Sequence, residues 1–203
     1  MPTTSSDLSQ IKVAVLCTDG VENSELIEPV RALRSVGATV EIISPKKDNV
    51  ESWKHFEKAE KIDVDQSLDE ADADQYDALV PPGGVANPDQ LRMIPKAVQF
   101  VQSFAKESKP IASICHGPWL LAEAGVIKGK RLTSWPSIKT DLINAGAKWS
   151  DDKVVRDDWL VTSRKPADLP DFNREMIRMI AEIRERASAA KKARSKEAPH
   201  ISP

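Results

Sequence analysis

The stretch K-P-I-A-S-I-C-H-G-P-W-L-L-A-E-A-G-V-I, residues 109–127, decides the fold. Its first half, up to Cys115, is short and largely apolar, as a strand buried on both faces of a sheet is. From Gly117 and Pro118 onward the chain reads as a helix. A strand that stops at Cys115 and turns at once into a helix is a sharp elbow. A side chain on such a turn projects into the space beyond the sheet's carboxyl end. The following helix start offers unpaired N–H groups and a partial positive charge, which favours thiolate over thiol at Cys115. The opposing reading is a buried, inert thiol, since cysteine is among the most buried residue types.

Outward from the elbow, strand-like and helix-like segments alternate, the pattern of a parallel α/β sheet. I-K-V-A-V-L-C (11–17) reads as a buried first strand. Leu26, Val30, Leu33 and Val36 then fall on one helix face that Gly37 can terminate. T-V-E-I-I-S (39–44) is a second strand. Residues 45–70 are too long for a plain loop and are expected to hold small strands of their own. D-A-L-V (77–80) runs straight into P-P-G-G (81–84). Pro95 opens a helix carrying Val98, Val101 and Phe104. Smaller strands are expected near 131–134, 147–149, 153–156 and 159–163. A final helix runs from about Pro170, with Phe172, Met176, Ile177, Ile180 and Ile183 on its core side. The alternation reads as one doubly wound α/β domain with a mainly parallel sheet. The expected organisation is a disordered tail over 1–10, one domain over 11–187 and a basic, disordered tail over 188–203.

The composition agrees with one such domain. Of 203 residues, 40% are hydrophobic and 30% charged, which excludes a disordered chain. The longest apolar run, Val13 to Cys17, is far short of the roughly 20 residues of a spanning helix. The start, MPTTSSDLSQIK, shows no secretory signal. Two cysteines, Cys17 and Cys115, argue against a disulfide framework and for a reducing, cytoplasmic setting. The net charge of −2 hides a split, because residues 184–203 carry +4 and the rest −6. An acidic globule does not read as a nucleic-acid or membrane binder, and the basic end reads as a solvated, frayed terminus.

Ligands of open α/β sheets collect at the carboxyl ends of the strands. Four junctions fall there: Cys17-Thr-Asp-Gly, Pro81-Pro-Gly-Gly, Cys115-His-Gly and Thr133-Ser-Trp-Pro. Gly83 and Gly84 would let backbone approach a reacting atom closely. Their amides, with those of His116 and Gly117, could form an oxyanion hole for an intermediate on Cys115. Alone, the glycine pair is equally a simple turn. Cys17 reads as strand packing, with an oxidised link to Cys115 the lesser alternative. His55 and His200 match no site pattern. Three scattered histidines and two separated cysteines give no metal-ligand spacing.

Five motifs in order carry a family resemblance: E-L-I-E-P (25–29), D-A-L-V-x-P-G-G (77–84), A-S-I-C-H-G (112–117), T-S-W-P-S (133–137) and S-R-K-P-A-D-L-P (163–170). Together they resemble the PfpI family of the ThiJ/PfpI superfamily, whose fold is shared with class I glutamine amidotransferases. The resemblance implies a flavodoxin-like three-layer α/β/α sandwich with a mainly parallel sheet and the cysteine on a nucleophile elbow. Trp135 and the R-K-P-x-D-L-P ending resemble its general-stress-protein branch. The family's archetype has tyrosine at the Trp135 position, so that tyrosine's role does not carry over. The resemblance implies an acidic partner for the thiol, and Glu25 matches the spacing Glu-x-x-x-Pro. Glu22, nearly a turn earlier, would be a pocket wall. A carboxyl held against a thiolate needs its proton, so Glu25 should have a raised pKa. Without the resemblance, either glutamate reads as a helix-start carboxylate.

His116 directly follows Cys115, and adjacent side chains on a turn usually diverge, so a papain-like ion pair is not expected. Peptidase-like members pair this histidine with an acidic residue of a neighbouring subunit, and Asp89 stands at that position with one extra residue. Asp89 is equally a helix-start carboxylate beside Pro88. The resemblance implies no cofactor, a small carbonyl or peptide substrate, and a homodimer or higher homo-oligomer. The expected function is a cysteine-dependent stress-response enzyme with Cys115 as nucleophile, a cysteine hydrolase by class. It would act on reactive carbonyls as a glyoxalase or deglycase, or as an intracellular peptidase. The alternative is a non-enzymatic redox-sensing or chaperone-like stress protein.

Overall fold

A computed structural model describes residues 7–197 of the chain. Apolar alternation in the first strand sets the layers. In β1 (Lys12–Leu16), Val13 and Val15 face one helical layer while Ala14 and Leu16 face the other. The remaining strands in chain order are β2 (Val21–Glu22), β3 (Thr39–Ser44), β4 (Asn49–Lys54), β5 (Glu57–Asp63), β6 (Gln66–Ser67), β7 (Ala78–Val80), β8 (Ile111–Ile114), β9 (Arg131–Leu132), β10 (Lys148–Trp149), β11 (Val154–Asp157) and β12 (Leu160–Ser163). The helices are α1 (Asn23–Ser35), α2 (Ala86–Leu91), α3 (Pro95–Lys106), α4 (Pro118–Glu123), α5 (Lys139–Asn144) and α6 (Leu169–Glu197).

The main sheet has seven strands in the order β11-β12-β8-β7-β1-β3-β6. Every neighbouring pair is parallel except β11 against β12. Strands β2, β4 and β5 form a separate small sheet, the local structure expected within 45–70, and β9 pairs with β10. On one face, Leu26, Val30 and Leu33 of α1 pack with Phe172, Met176, Met179 and Ile180 of α6. On the other, Ala97, Phe100, Val101 and Phe104 of α3 pack with Leu120 and Leu121 of α4. Burying each large side chain of this kind contributes about 1.5–3 kcal/mol. The architecture is the doubly wound α/β domain that the strand-helix alternation predicts, in the flavodoxin-like form that the family resemblance implies.

Both chain-end expectations need correction. The disordered segment expected over 1–10 fails from Asp7 onward. Leu8 is fully buried, its N–H donates to Val36 O at 2.8 Å, and the Arg184 guanidinium donates to Asp7 O at 3.1 Å. The disordered tail expected over 188–203 is instead helical through Glu197, as the end of α6. Residues 1–6 and 198–203 lie outside the described residues. Among the described residues no helix is long and apolar enough to cross a membrane.

The chain leaves β1 to one side, for β3, and returns on the other side at β7. That reversal is a topological switch point, where strand ends splay and a crevice opens. The junctions after β1, β7 and β8 all open into it.

Candidate active site

The elbow after β8 is built by backbone constraint. Cys115 sits at φ +62°, in the left-handed region that costs a non-glycine residue on the order of 1–3 kcal/mol. Its N–H donates to Ser163 O at 3.0 Å, and its carbonyl accepts the Trp135 N–H at 2.9 Å. The Gly117 N–H closes the turn onto Ile114 O at 2.9 Å. Gly117 therefore has no amide to spare for an oxyanion hole, and that part of the expectation is corrected. It is needed as glycine because a Cβ there would lie 2.7 Å from Pro81 O.

The Gly-Gly turn after β7 presses on the same spot. A Cβ on Gly83 would meet the Glu25 carboxyl, and would lie 2.7 Å from both Cys115 Cβ and Ile114 O. Gly84 adopts φ +82°, with Glu22 N 2.7 Å from where its Cβ would be. Asn87, fully buried on α2, locks the turn in place. Its amide donates to Pro82 O at 2.9 Å and Gly83 O at 3.1 Å, while its oxygen accepts the Thr18 N–H at 2.7 Å. The loop after β1 and the turn after β7 are thus one unit.

Glu25, on the first turn of α1, is fully buried. Neither carboxyl oxygen has a well-formed hydrogen bond among the described residues, although the Cys115 thiol and the Gly83 and Gly84 amides lie close to it. Burial raises its pKa from 4.5 to about 8, and the nearby Glu22 carboxylate adds to the rise, while the Cys115 thiol and the Gly83 and Gly84 amides oppose it. Glu25 is therefore a carboxylic acid at neutral pH. Burial also pushes the Cys115 thiol well above its ordinary range, and the Glu25 carboxylate pushes it further. The Gly84 and His116 amides pull the other way, as donors to a negative charge on sulfur. The thiolate preference expected of the helix start is overridden, because α4 is only six residues long and the thiol is 7% exposed.

His116 does not diverge from Cys115, contrary to expectation. Its Nδ1 lies 3.2 Å from Cys115 Sγ, and its Nε2 lies 3.2 Å from Ser137 Oγ. With Cys115 in the left-handed elbow, its thiol faces the Nδ1 edge of the neighbouring ring. Trp135 stacks on the imidazole at 5.9 Å between centroids and 25° between planes, and Trp119 flanks it at 5.4 Å. Burial lowers the imidazole pKa to about 4, so the ring is neutral at pH 7. Asp89 is not drawn in within one chain, since its half-exposed carboxylate pairs with Arg92 at 3.0 Å.

These groups line a cavity of about 470 Å³. Glu22 forms part of the wall. Its Oε2 also accepts the His55 N–H at 2.9 Å, which brings the β4–β5 hairpin tip, with His55 and Phe56, to the cavity mouth. The sequence reading left His55 without a site and did not single out Phe56, Val85, Trp119 or Ser137, all of which line the cavity. The T-S-W-P-S motif contains Ser137 and was the available signal for it. Among the described residues no three His, Cys, Asp or Glu side chains converge as metal ligands. Cys17 and Cys115 are both free thiols. Cys17 is fully buried, and burial pushes its pKa up to about 12.

A neutral acid, a thiol on a strained elbow and a Gly-Gly turn at one switch point define a site that can be compared. The sequence profile of the DJ-1/PfpI family matches residues 11–179. The chain belongs to the DJ-1/PfpI family. A deglycase of Pyrococcus abyssi is 42% identical over 170 residues, covering 84% of this chain and 99% of that protein. General stress protein 18 of Bacillus subtilis is 40% identical, covering 83% of this chain and 97% of that protein. The crystal structure of Drosophila melanogaster DJ-1beta superposes with a TM-score of 0.78 at 30% identity, covering 90% of this chain and 97% of that one. DJ-1/PfpI membership accounts for the motif order read in the sequence.

Proposed function

We propose that the chain is a cysteine-dependent enzyme of deglycase type, which converts 2-oxoaldehydes and their amine adducts to 2-hydroxy acids. The observation that carries this reading is Glu25: a fully buried carboxyl against Cys115, with no well-formed hydrogen bond, that keeps its proton to about pH 8. Such a group can give a proton, then take one from carbon, on a single bound substrate.

The chemistry follows from the placement of the protons. As the sulfur–carbon bond forms at the aldehyde or carbinol carbon, the thiol proton passes to Nδ1 of neutral His116. Glu25 gives its proton to the carbonyl oxygen of a free aldehyde, or to the departing amine of an adduct. Either entry leaves a hemithioacetal on Cys115. The Glu25 carboxylate then removes the C–H proton, and the electron pair moves to the neighbouring carbonyl, whose oxygen takes the His116 proton. The resulting enediol is protonated at the adjacent carbon by Glu25 and loses its O–H proton to His116, which leaves a thioester. Water adds to the thioester carbon and gives one proton to the Glu25 carboxylate. The carbon–sulfur bond breaks as the leaving sulfur takes the proton from His116, which releases the hydroxy acid and restores thiol, carboxylic acid and neutral imidazole. The aldehyde carbon is oxidised and its neighbour reduced, so the redox change is internal. Oxygen charge developing near sulfur meets the Gly84 and His116 amides.

The cavity has room for adducts as well as for small free aldehydes, because about 470 Å³ lies in the size range of pockets that hold drug-sized ligands, roughly 300–1,000 Å³. The name of the Pyrococcus abyssi relative supports the same class. A homo-oligomer belongs to this reading, since Phe56 and Val85 leave apolar surface open to water at the cavity mouth. The test is hydroxy-acid and amine release from a methylglyoxal–arginine adduct, beside free methylglyoxal, with wild-type protein and Cys115→Ala. Amine release faster than the adduct's spontaneous dissociation, lost in Cys115→Ala, is expected. Equal product from both proteins ends the proposal, and amine release only at the spontaneous rate restricts it to free aldehydes.

A further inference from the structure

We infer that Ser137 is a positioning residue that holds His116 in the tautomer whose Nδ1 accepts the Cys115 proton. The inference rests on the proposed reading of Cys115 as nucleophile and His116 as its proton acceptor. A neutral imidazole carries one N–H, and which nitrogen bears it is set by the partner on the other side. Cys115 Sγ lies 3.2 Å from Nδ1 and Ser137 Oγ lies 3.2 Å from Nε2, on opposite edges of the ring. With the thiol protonated, S–H donates to Nδ1, so the N–H belongs at Nε2 and Ser137 Oγ accepts it. The stacked indole of Trp135 and the tilted indole of Trp119 hold the ring in place but are indifferent to the tautomer. Among the described residues the Ser137 hydroxyl is the hydrogen-bond partner of Nε2.

The placement is built into the fold. Ser137 sits in a single 3-10 turn, Pro136–Ile138, anchored by buried Ile138. The residue before this turn donates its backbone N–H to Cys115 O at 2.9 Å, so turn and elbow move together. When the thiol proton reaches Nδ1, the ring briefly carries two N–H groups and a positive charge. The Oγ lone pair is already aimed at Nε2 and needs no reorganisation. A carboxylate in that place would hold the proton on the ring. A hydroxyl lets His116 return it to the substrate oxygen, as the proposed sequence requires.

The experiment uses isotope-labelled histidine NMR and the rate of Cys115 alkylation by iodoacetamide at neutral pH, neither of which needs a substrate. Wild type should show the Nε2–H tautomer at His116. Ser137→Ala should populate the other tautomer and slow alkylation by about threefold to tenfold, the range set by losing one hydrogen bond. Ser137→Thr, which keeps the hydroxyl, should restore both. An unchanged tautomer or an unchanged alkylation rate in Ser137→Ala overturns the inference, and so does a threonine variant that behaves like alanine. If tautomer and alkylation respond as expected while wild type turns over no adduct, the carbonyl reading falls and the positioning role stands.

Discussion

Replacing Glu25 by glutamine should make the protein more stable, by an amount that grows with pH. The folded chain holds the Glu25 proton to about pH 8, whereas the ordinary carboxyl releases it near 4.5. The unfolded chain therefore ionises first. Stability contributed by this group is complete below pH 4.5 and is lost as pH rises toward 8. Each pH unit in that window removes about 1.4 kcal/mol, so at neutral pH the acid costs on the order of 3 kcal/mol. Glutamine has the same shape and no proton to lose. Any cost of burying its amide is constant in pH, so the slope isolates the ionisation. Between about pH 5.5 and about pH 7.5 the stability gap between variant and wild type should widen by about 2.5 kcal/mol. In thermal unfolding that is about 5–10 °C for a chain of this size. Urea unfolding of both proteins across this range is the assay. A gap that stays constant with pH would show that Glu25 is ionised in the folded protein, and the proton sequence built on it would fail.

Two further outcomes follow from the packing. Gly83→Ala should cost several kcal/mol and abolish turnover, because its Cβ has no free space between Glu25, Cys115 and Ile114 O; calorimetry with an activity assay checks both, and a stable, active variant would refute the geometry. Iodoacetamide should label Cys115, at 7% exposure, well before Cys17, which is fully buried with a pKa near 12, and peptide mapping that finds Cys17 first would contradict the structure.

The elbow is legible in sequence because a buried strand, a break and a helix start are all local patterns, and Cys115 lies where they meet. Gly83 and Gly84 are legible for the same reason. Glu25 is half legible: spacing to Pro29 selects it, yet nothing local distinguishes a buried acid from a solvated helix-start carboxylate. The difference is made by Gly83, more than fifty residues away, lying against its carboxyl. Ser137 and His55 reach the cavity only through the 3-10 turn at Pro136 and the β4–β5 hairpin, and neither contact leaves a periodic trace. Leu8 is a single apolar residue in a polar segment, too little for a pattern. The end of α6 differs in kind. R-A-S-A-A-K-K-A-R-S-K-E carries the charge of a solvated tail, yet alanine, lysine and arginine are among the strongest helix formers, and that propensity continues the helix through Glu197.

The protonation states, taken together, separate the candidate chemistries more sharply than the identities of the residues do. A papain-like hydrolase stores a thiolate beside an imidazolium, and needs a group that keeps the ring charged. Here burial holds the ring neutral to about pH 4, a hydroxyl faces its far nitrogen, and the acid beside the sulfur keeps its own proton to about pH 8. Ionising Cys115 and Glu25 together would place two negative charges in one buried space, the costliest arrangement available. The resting site therefore holds its protons on sulfur and carboxyl and has one empty acceptor, Nδ1. That set suits addition to a carbonyl followed by proton transfer between neighbouring atoms, where every proton given is taken back before the product leaves. It suits amide cleavage poorly, since a charged nucleophile must then be ready before the substrate arrives. The same logic assigns the alternatives their signatures: a resting imidazolium would favour peptidase chemistry, and a resting thiolate would favour oxidation by peroxide.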